Sequence, residues 1–223
     1  MARTRCVAPA RGEAAMNARN AVLDDIRQAL GRGGATAVQP PPPPRAWQAP
    51  DHAGQVGLAS LFIEKASAAQ ATCVRVANLQ DVPAEAARYV AQWDLPPRLV
   101  AAAALCELRW PTSLQVRGGA ARSDDTTAVA LCEAGVAETG SLMLVSSPQT
   151  PTTLNFVPDV CIAVLRRAAI VATLEQALRR VAAAMPRTVN IITGPSRTAD
   201  VEQVVEIGVH GPRQLHVILV DSP

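Results

Sequence analysis

"ATCVRVANLQDVPAEAARYVAQWDLPPRLVAAA" covers residues 71–103. Its first part, residues 71–77, reads as a short strand rich in β-branched residues. Residues 81–95 read as a helix, with Pro83 in the first turn, where a missing N–H breaks no bond. Residues 98–103 are a second strand candidate. Strand, helix, strand is the repeating unit of an α/β domain with a largely parallel sheet.

The pattern continues on both sides. Before it, residues 55–69 carry Val56, Leu58, Leu61, Phe62 and Ile63 and read as a helix. After it, residues 114–119 form a third strand candidate, stopped by Gly118 and Gly119. An Ala- and Val-rich segment then leads to Glu138-Thr139-Gly140, and Ser141 opens the apolar strand "LMLV". Residues 159–165 and 168–171 read as strands. Residues 173–185 read as a helix, with Thr173 at the N-cap and Gln176 three positions on, the capping-box spacing. "VNIIT" at 189–193 and "LHVILV" at 215–220 are two late strands, and no internal repeat appears.

Upstream, Val22, Ile26 and Leu30 recur at helical spacing from Met16 onward, and Gly31 can close that helix. Residues 1–15 add no pattern, so Met16 is the expected start, which the intact mass of the native protein would test. Residues 31–50 form a linker whose five consecutive prolines, 40–44, enforce polyproline II. Such a run serves as a stiff spacer or recruits a partner domain. The expected division is therefore residues 1–50 as tail, amphipathic helix and proline-rich linker, and residues 51–223 as one domain.

Composition narrows the function. The chain has 223 residues, 49% of them hydrophobic, enough for a sizeable core. Lys65 is the only lysine among 21 basic residues. Residues 16–223 balance 18 basic against 18 acidic side chains, so the body lacks the electrostatic footprint of a nucleic-acid binder. No apolar run approaches the roughly 20 residues that span a bilayer, and no apolar stretch of signal-peptide type follows the N-terminus. The cytoplasm is the expected compartment. Cys6, Cys73, Cys106, Cys132 and Cys161 are scattered with no CxxC, unlike the paired ligands of zinc or iron–sulfur sites. They read as small buried hydrophobes, and no metal site is expected on this chain.

Chemistry is expected at three polar turns: residues 138–141, residues 194–200 and residues 210–213. Glycine lets backbone N–H groups approach an anion, and hydroxyls add donors. Arg197 is suited to a two-point grip on a carboxylate or phosphate. Glu138 suits a general base or nucleophile, or is a solvated turn carboxylate. His210 suits a general acid or base, or is an ordinary turn residue. Ser196, Thr198 and Asp200 suit an anion pocket or cap a following helix, with Gln203 as return partner of Asp200. Ser141 and His210 do not sit in a G-x-S-x-G elbow, which argues against a serine hydrolase.

"GVAETGSLML", "NIITGPSRTADVEQVVEIGVHGP" and "LHVILVD" together resemble the LutC/YkgG family of lactate-utilisation proteins that carry the LUD domain. The resemblance covers about residues 51–221. It implies a three-layer α/β/α arrangement similar to the NagB/RpiA/CoA-transferase-like fold. It also implies a cluster-free subunit acting with iron–sulfur partner proteins in oxidising L-lactate to pyruvate. The clusters are then expected on the partners and no cofactor on this chain. By the same resemblance Glu138, Thr139, Gly140 and Ser141 fall in the family's ETG turn. Gly194, Pro195, Ser196, Arg197, Thr198 and Asp200 fall in its GPSRTAD loop, and His210, Gly211 and Pro212 in its HGP turn. Expected roles are catalysis for Glu138 and His210, and ligand binding for Thr139, Gly140, Ser141, Gly194, Ser196, Arg197, Thr198 and Asp200.

Two other classes stay open. One is a stand-alone transferase or isomerase on a CoA-linked or phosphorylated small molecule, with Glu138 as nucleophile or base. The other is a non-catalytic assembly or regulatory subunit. The three turns are expected to converge at one end of the sheet, with Glu138, Arg197 and His210 lining one cleft.

Overall fold

The computed structural model describes residues 11–31, 54–199 and 205–222. The chain divides into two units, Met1–Trp47 and Gln48–Pro223. In the first, α1 (Arg11–Ala29) leaves Val22 and Ile26 exposed, as is Leu30 just after it. The proline run and Cys6 lie outside the described residues.

Among the described residues the second unit begins α2 (Gly54–Ala68), β1 (Thr72–Val76), α3 (Val82–Gln92), β2 (Arg98–Ala101), α4 (Ala103–Cys106), β3 (Gln115–Gly118) and β4 (Thr127–Leu131). It continues β5 (Ala134–Val136), β6 (Ser141–Val145), α5 (Thr153–Phe156), β7 (Val160–Arg166), β8 (Ile170–Val171) and α6 (Leu174–Val181). It ends β9 (Val189–Ile192), β10 (Arg197–Ala199), β11 (Val205–Ile207) and β12 (Gln214–Val220).

Six strands form a wholly parallel sheet in the order β1-β12-β7-β4-β2-β3. Side chains alternate across a strand, and the central strands use both faces. On β7, Val160, Ile162 and Val164 face one core while Cys161, Ala163 and Leu165 face the other. On β12, Ile218 and Val220 join the first core, and Leu215, Val217 and Leu219 the second. The first core is closed by Val82, Ala86, Tyr89 and Val90 of α3, with Leu105 of α4 and Leu154 of α5. The second is closed by Leu58, Phe62 and Ala66 of α2.

The second core is also closed by another sheet, which a plain three-layer sandwich lacks. Strands β8-β5-β6-β9 form a mixed four-stranded sheet. Its Leu142 and Leu144 face the large sheet, while Val136 and Met143 face Ala177 and Val181 of α6. The Ala- and Val-rich segment therefore splits in two. Cys132 N–H still bonds Val164 of the large sheet, and Glu133 N–H already bonds Met143 of the small one. The reversal at Glu138-Thr139-Gly140 makes β5 and β6 antiparallel, which removes them from the parallel sheet. Gly140 takes φ +67, and a Cβ there would overlap the backbone of Lys65 and Ala66 at the end of α2.

Thr173 caps α6 as expected, its hydroxyl accepting from Gln176 N–H. Gln176 returns its bond to Ala172 N–H at 2.9 Å rather than to Thr173. Thr198 itself lies in a strand, because Arg197–Ala199 pairs antiparallel with Val205–Ile207 as a hairpin. The β-branched Thr198, Val205 and Ile207 favour extended backbone. Asp200 and its proposed partner Gln203 lie outside the described residues.

Candidate functional site

The site starts from one glycine. Gly194 ends the β9 segment with φ +70, and a Cβ there would collide with the Ala69 carbonyl at the end of α2. The chain then turns through Pro195 and Ser196. Ser196 N–H donates to Pro212 O at 2.8 Å, and Gly208 N–H donates to Ser196 O at 3.0 Å. Gly211 lies against Ser196, whose Cβ would be 3.3 Å from a Cβ placed on the glycine. The GPSR loop and the HGP turn are thus tied by backbone bonds.

Between them opens a cavity of about 400 Å³. Its polar lining includes Thr193, Ser196, Arg197 and His210, and its apolar lining includes Phe156 and Ile191. The segments Ala69, Phe156 and Pro212 that border it lead into β1, β7 and β12. The cavity therefore sits at the amino ends of the parallel strands, opposite to the carboxyl-end crevice usual for open α/β sheets.

Arg197 and His210 line this cavity and are exposed. Gly194, Ser196, Pro195, Gly211 and Pro212 line it too. Thr198 lies on β10 opposite Glu206. The ETG turn reaches the cavity only through hydroxyls. Thr139 Oγ1 is 2.7 Å from Ser141 Oγ, which is 2.6 Å from Thr193 Oγ1. Glu138 is not among the lining residues. Its Oε1 instead accepts from Leu174 N–H at 3.0 Å. The N-terminus of α6 offers unpaired N–H groups and positive dipole, which draw the carboxylate away from the cleft. The expectation that Glu138 shares one cleft with Arg197 and His210 is corrected accordingly.

A second cavity of about 200 Å³ lies beside the first, and both include Pro195 and Arg197 in their linings. Tyr89, Trp93, Gln70 and Gln214 line it. Beneath it lies a buried polar group on β12. His216 is 3% exposed, stacked on Tyr89 at a ring-centroid distance of 4.1 Å, with Nδ1 2.8 Å from Thr72 Oγ1. Its Nε2 stands 3.5 Å from Glu85 Oε1. Burial pushes the imidazole pKa down to about 4, outweighing the pull of the Glu85 carboxylate. Arg88 donates to Glu85 at 2.8 Å and holds that carboxyl below its ordinary value despite burial. Sequence reading passed over Thr193, Phe156, Gln70, Trp93 and His216. A histidine inside the apolar run "LHVILV" was the one visible sign of a buried polar network.

The thiols of Cys132 and Cys161 are buried, and burial pushes Cys161 up to about 12 and Cys132 well above its usual value. Metal binding needs thiolates, which these sites disfavour. Among the described residues no three His, Cys, Asp or Glu side chains gather as a metal site. No helix among them is long and apolar enough to cross a membrane.

Residues 108–220 match the model of the LUD domain. The chain is 32% identical over 117 residues to lactate utilization protein C of Geobacillus thermodenitrificans, covering 50% of this chain and 49% of that protein. It is 37% identical over 100 residues to YkgG of Escherichia coli, covering 42% and 43% respectively. It is 37% identical over 91 residues to protein NMB1437 of Neisseria meningitidis, covering 40% and 39%. The matches thus span less than half the length of these curated relatives. In fold, it is similar to the crystal structure of a DUF162 family protein from Deinococcus radiodurans, with a TM-score of 0.61 at 20% identity over 75% of this chain and 98% of that one. The ETG turn, the GPSR loop and the HGP turn all fall within the matched residues, and the chain belongs to the LUD-domain family, in its LutC/YkgG group.

Proposed function

We propose that this chain is the cluster-free subunit of a lactate-utilisation system. The cavity lined by Arg197, Ser196 and His210 carries the reading, because it joins a permanent cation to hydroxyl and imidazole groups in one place. Relatives named lactate utilization protein C suggest the substrate class. In this reading Arg197 grips the carboxylate of L-lactate, and Ser196 and Thr193 donate to its oxygens. His210 accepts the hydroxyl proton. Oxidation to pyruvate releases two electrons and two protons in all, and the electrons leave to iron–sulfur clusters on partner proteins, with the cytoplasm as the compartment.

The test is direct. L-lactate and pyruvate are titrated into the wild type and into Arg197→Ala by calorimetry. The full chain is then mixed with candidate iron–sulfur partner proteins and assayed for lactate-dependent reduction of an artificial acceptor. Binding that is lost in Arg197→Ala, with turnover only in the mixture, supports the reading. A wild type that binds neither acid defeats it, and so does turnover unaffected by leaving this chain out.

A further inference from the structure

The cavity proposed for lactate is much larger than lactate. A volume of about 400 Å³ is in the range of roughly 300–1,000 Å³ that encloses drug-sized ligands. The neighbouring cavity adds about 200 Å³, and Arg197 and Pro195 belong to both. Its chemistry differs from the first. Trp93 is 47% exposed, so its indole is available to a ligand, and Tyr89 stands beside it at a ring-centroid distance of 6.1 Å. The amides of Gln70 and Gln214 supply both donors and acceptors at its edge.

Gln70 occupies this wall under strain. It ends α2 at the position where glycine is usual, with φ 67. Its N–H bonds Ser67 O at 2.9 Å and the next residue, Ala71, bonds Ala66 O at 3.0 Å, the Schellman pattern. The left-handed backbone crowds the Cβ of any residue other than glycine. Glycine would relieve that crowding but would remove the amide from the cavity.

We infer that the second cavity is a ring subsite, and that the two cavities together take a heteroaromatic ring joined to an anionic group, a ligand of the mononucleotide class. The ring lies against Trp93, with the Gln70 and Gln214 amides at its polar edge. Its phosphate or carboxylate lies at Arg197, where the two cavities meet. Aromatic stacking tolerates many ring types, while the amides favour a ring with nitrogen or oxygen at its edge. The inference rests on the same anion grip by Arg197 as the lactate reading, but it does not require lactate as substrate.

The experiment is a calorimetric titration of the full chain with four probes: adenosine monophosphate, flavin mononucleotide, ribose 5-phosphate and inorganic phosphate. At least one ring-bearing probe is expected to bind about tenfold or more tighter than ribose 5-phosphate. Trp93→Ala is expected to abolish that margin without weakening ribose 5-phosphate, and Trp93→Phe to restore part of it. Melting curves and the retained ribose 5-phosphate affinity show that the variants are folded. Arg197→Lys is expected to weaken all anionic probes together. The inference is overturned if neither nucleotide binds tighter than ribose 5-phosphate, or if Trp93→Ala leaves the margin intact. Nucleotide binding without L-lactate or pyruvate binding would remove the lactate reading alone. Lactate binding without a nucleotide margin would remove the ring subsite alone.

Discussion

Arg197 stands at the first residue of β10 with an exposed side chain and no ion-pair partner among the described residues. Arg197–Ala199 is extended and paired with Val205–Ile207, so among the described residues the anion affinity rests on the guanidinium and the neighbouring hydroxyls. Arg197→Lys keeps the charge and loses the planar fork, at a cost of about 1.5–3 kcal/mol in binding, roughly 10-fold or more. Affinity for L-lactate or phosphate should fall while the melting temperature stays within a degree or two. A shifted melting temperature with unchanged affinity would make Arg197 a structural residue. Gln70→Gly works in the other direction. Relief of the left-handed strain should raise stability by about 1 kcal/mol, measured by urea unfolding. Loss of stability would show that the amide is needed for folding. The place of Arg197 and His210 on one cleft was legible because each is a polar residue beside a Gly-Pro break. That of Gln70 and Trp93 was not, because their meeting with residues 195–197 is a long-range event that no local pattern encodes.

At the scale of elements, the contacts at the start of α6 differ in what can be read. Thr173 and Gln176 lie three positions apart, so their bonds follow from local spacing. Glu138 reaches the same helix from across 36 positions. Its role in the fold is therefore invisible in the sequence, where a carboxylate beside Thr-Gly invites a catalytic reading. Glu138→Ala should destabilise the protein by about 1 kcal/mol through loss of a helix-start acceptor, and leave binding of lactate or phosphate unchanged. Thermal melts and calorimetry on the same preparation separate the two effects. A loss of affinity without loss of stability would return Glu138 to the ligand site. The hairpin β10–β11 is the second case. Ser, Thr and Asp before an apolar run suit a helix cap and a strand edge equally. Pairing between Arg197–Ala199 and Val205–Ile207 decides between them.

For the whole molecule, the buried pair His216 and Glu85 sets the acid limit of stability. In the fold the imidazole stays neutral down to about pH 4, chiefly because burial penalises its charge. In the unfolded chain it takes up a proton near its ordinary value of 6.5. Stability from this group is therefore complete above about pH 6.5 and is lost as pH falls toward 4. A gap of this size is worth about 3 kcal/mol. Glu85, held below its ordinary value by Arg88, adds loss in the same direction at lower pH. Urea unfolding at pH 7 and pH 4.5 should show a drop of about 2–3 kcal/mol, reduced in His216→Gln. Equal stability at the two pH values would mean that the imidazole is protonated in the fold. The strand–helix–strand alternation of residues 71–103, the cap of α6, the α/β class and the family motifs were determined by the sequence itself, since each is written in short-range periodicity or contiguous residues. Tertiary structure alone decided the division of strands between two sheets, the amino-end position of the cavity, the capture of Glu138 by α6 and the second cavity behind Arg197. Each of these depends on contacts between segments far apart in the chain, where packing and burial outweigh local preference.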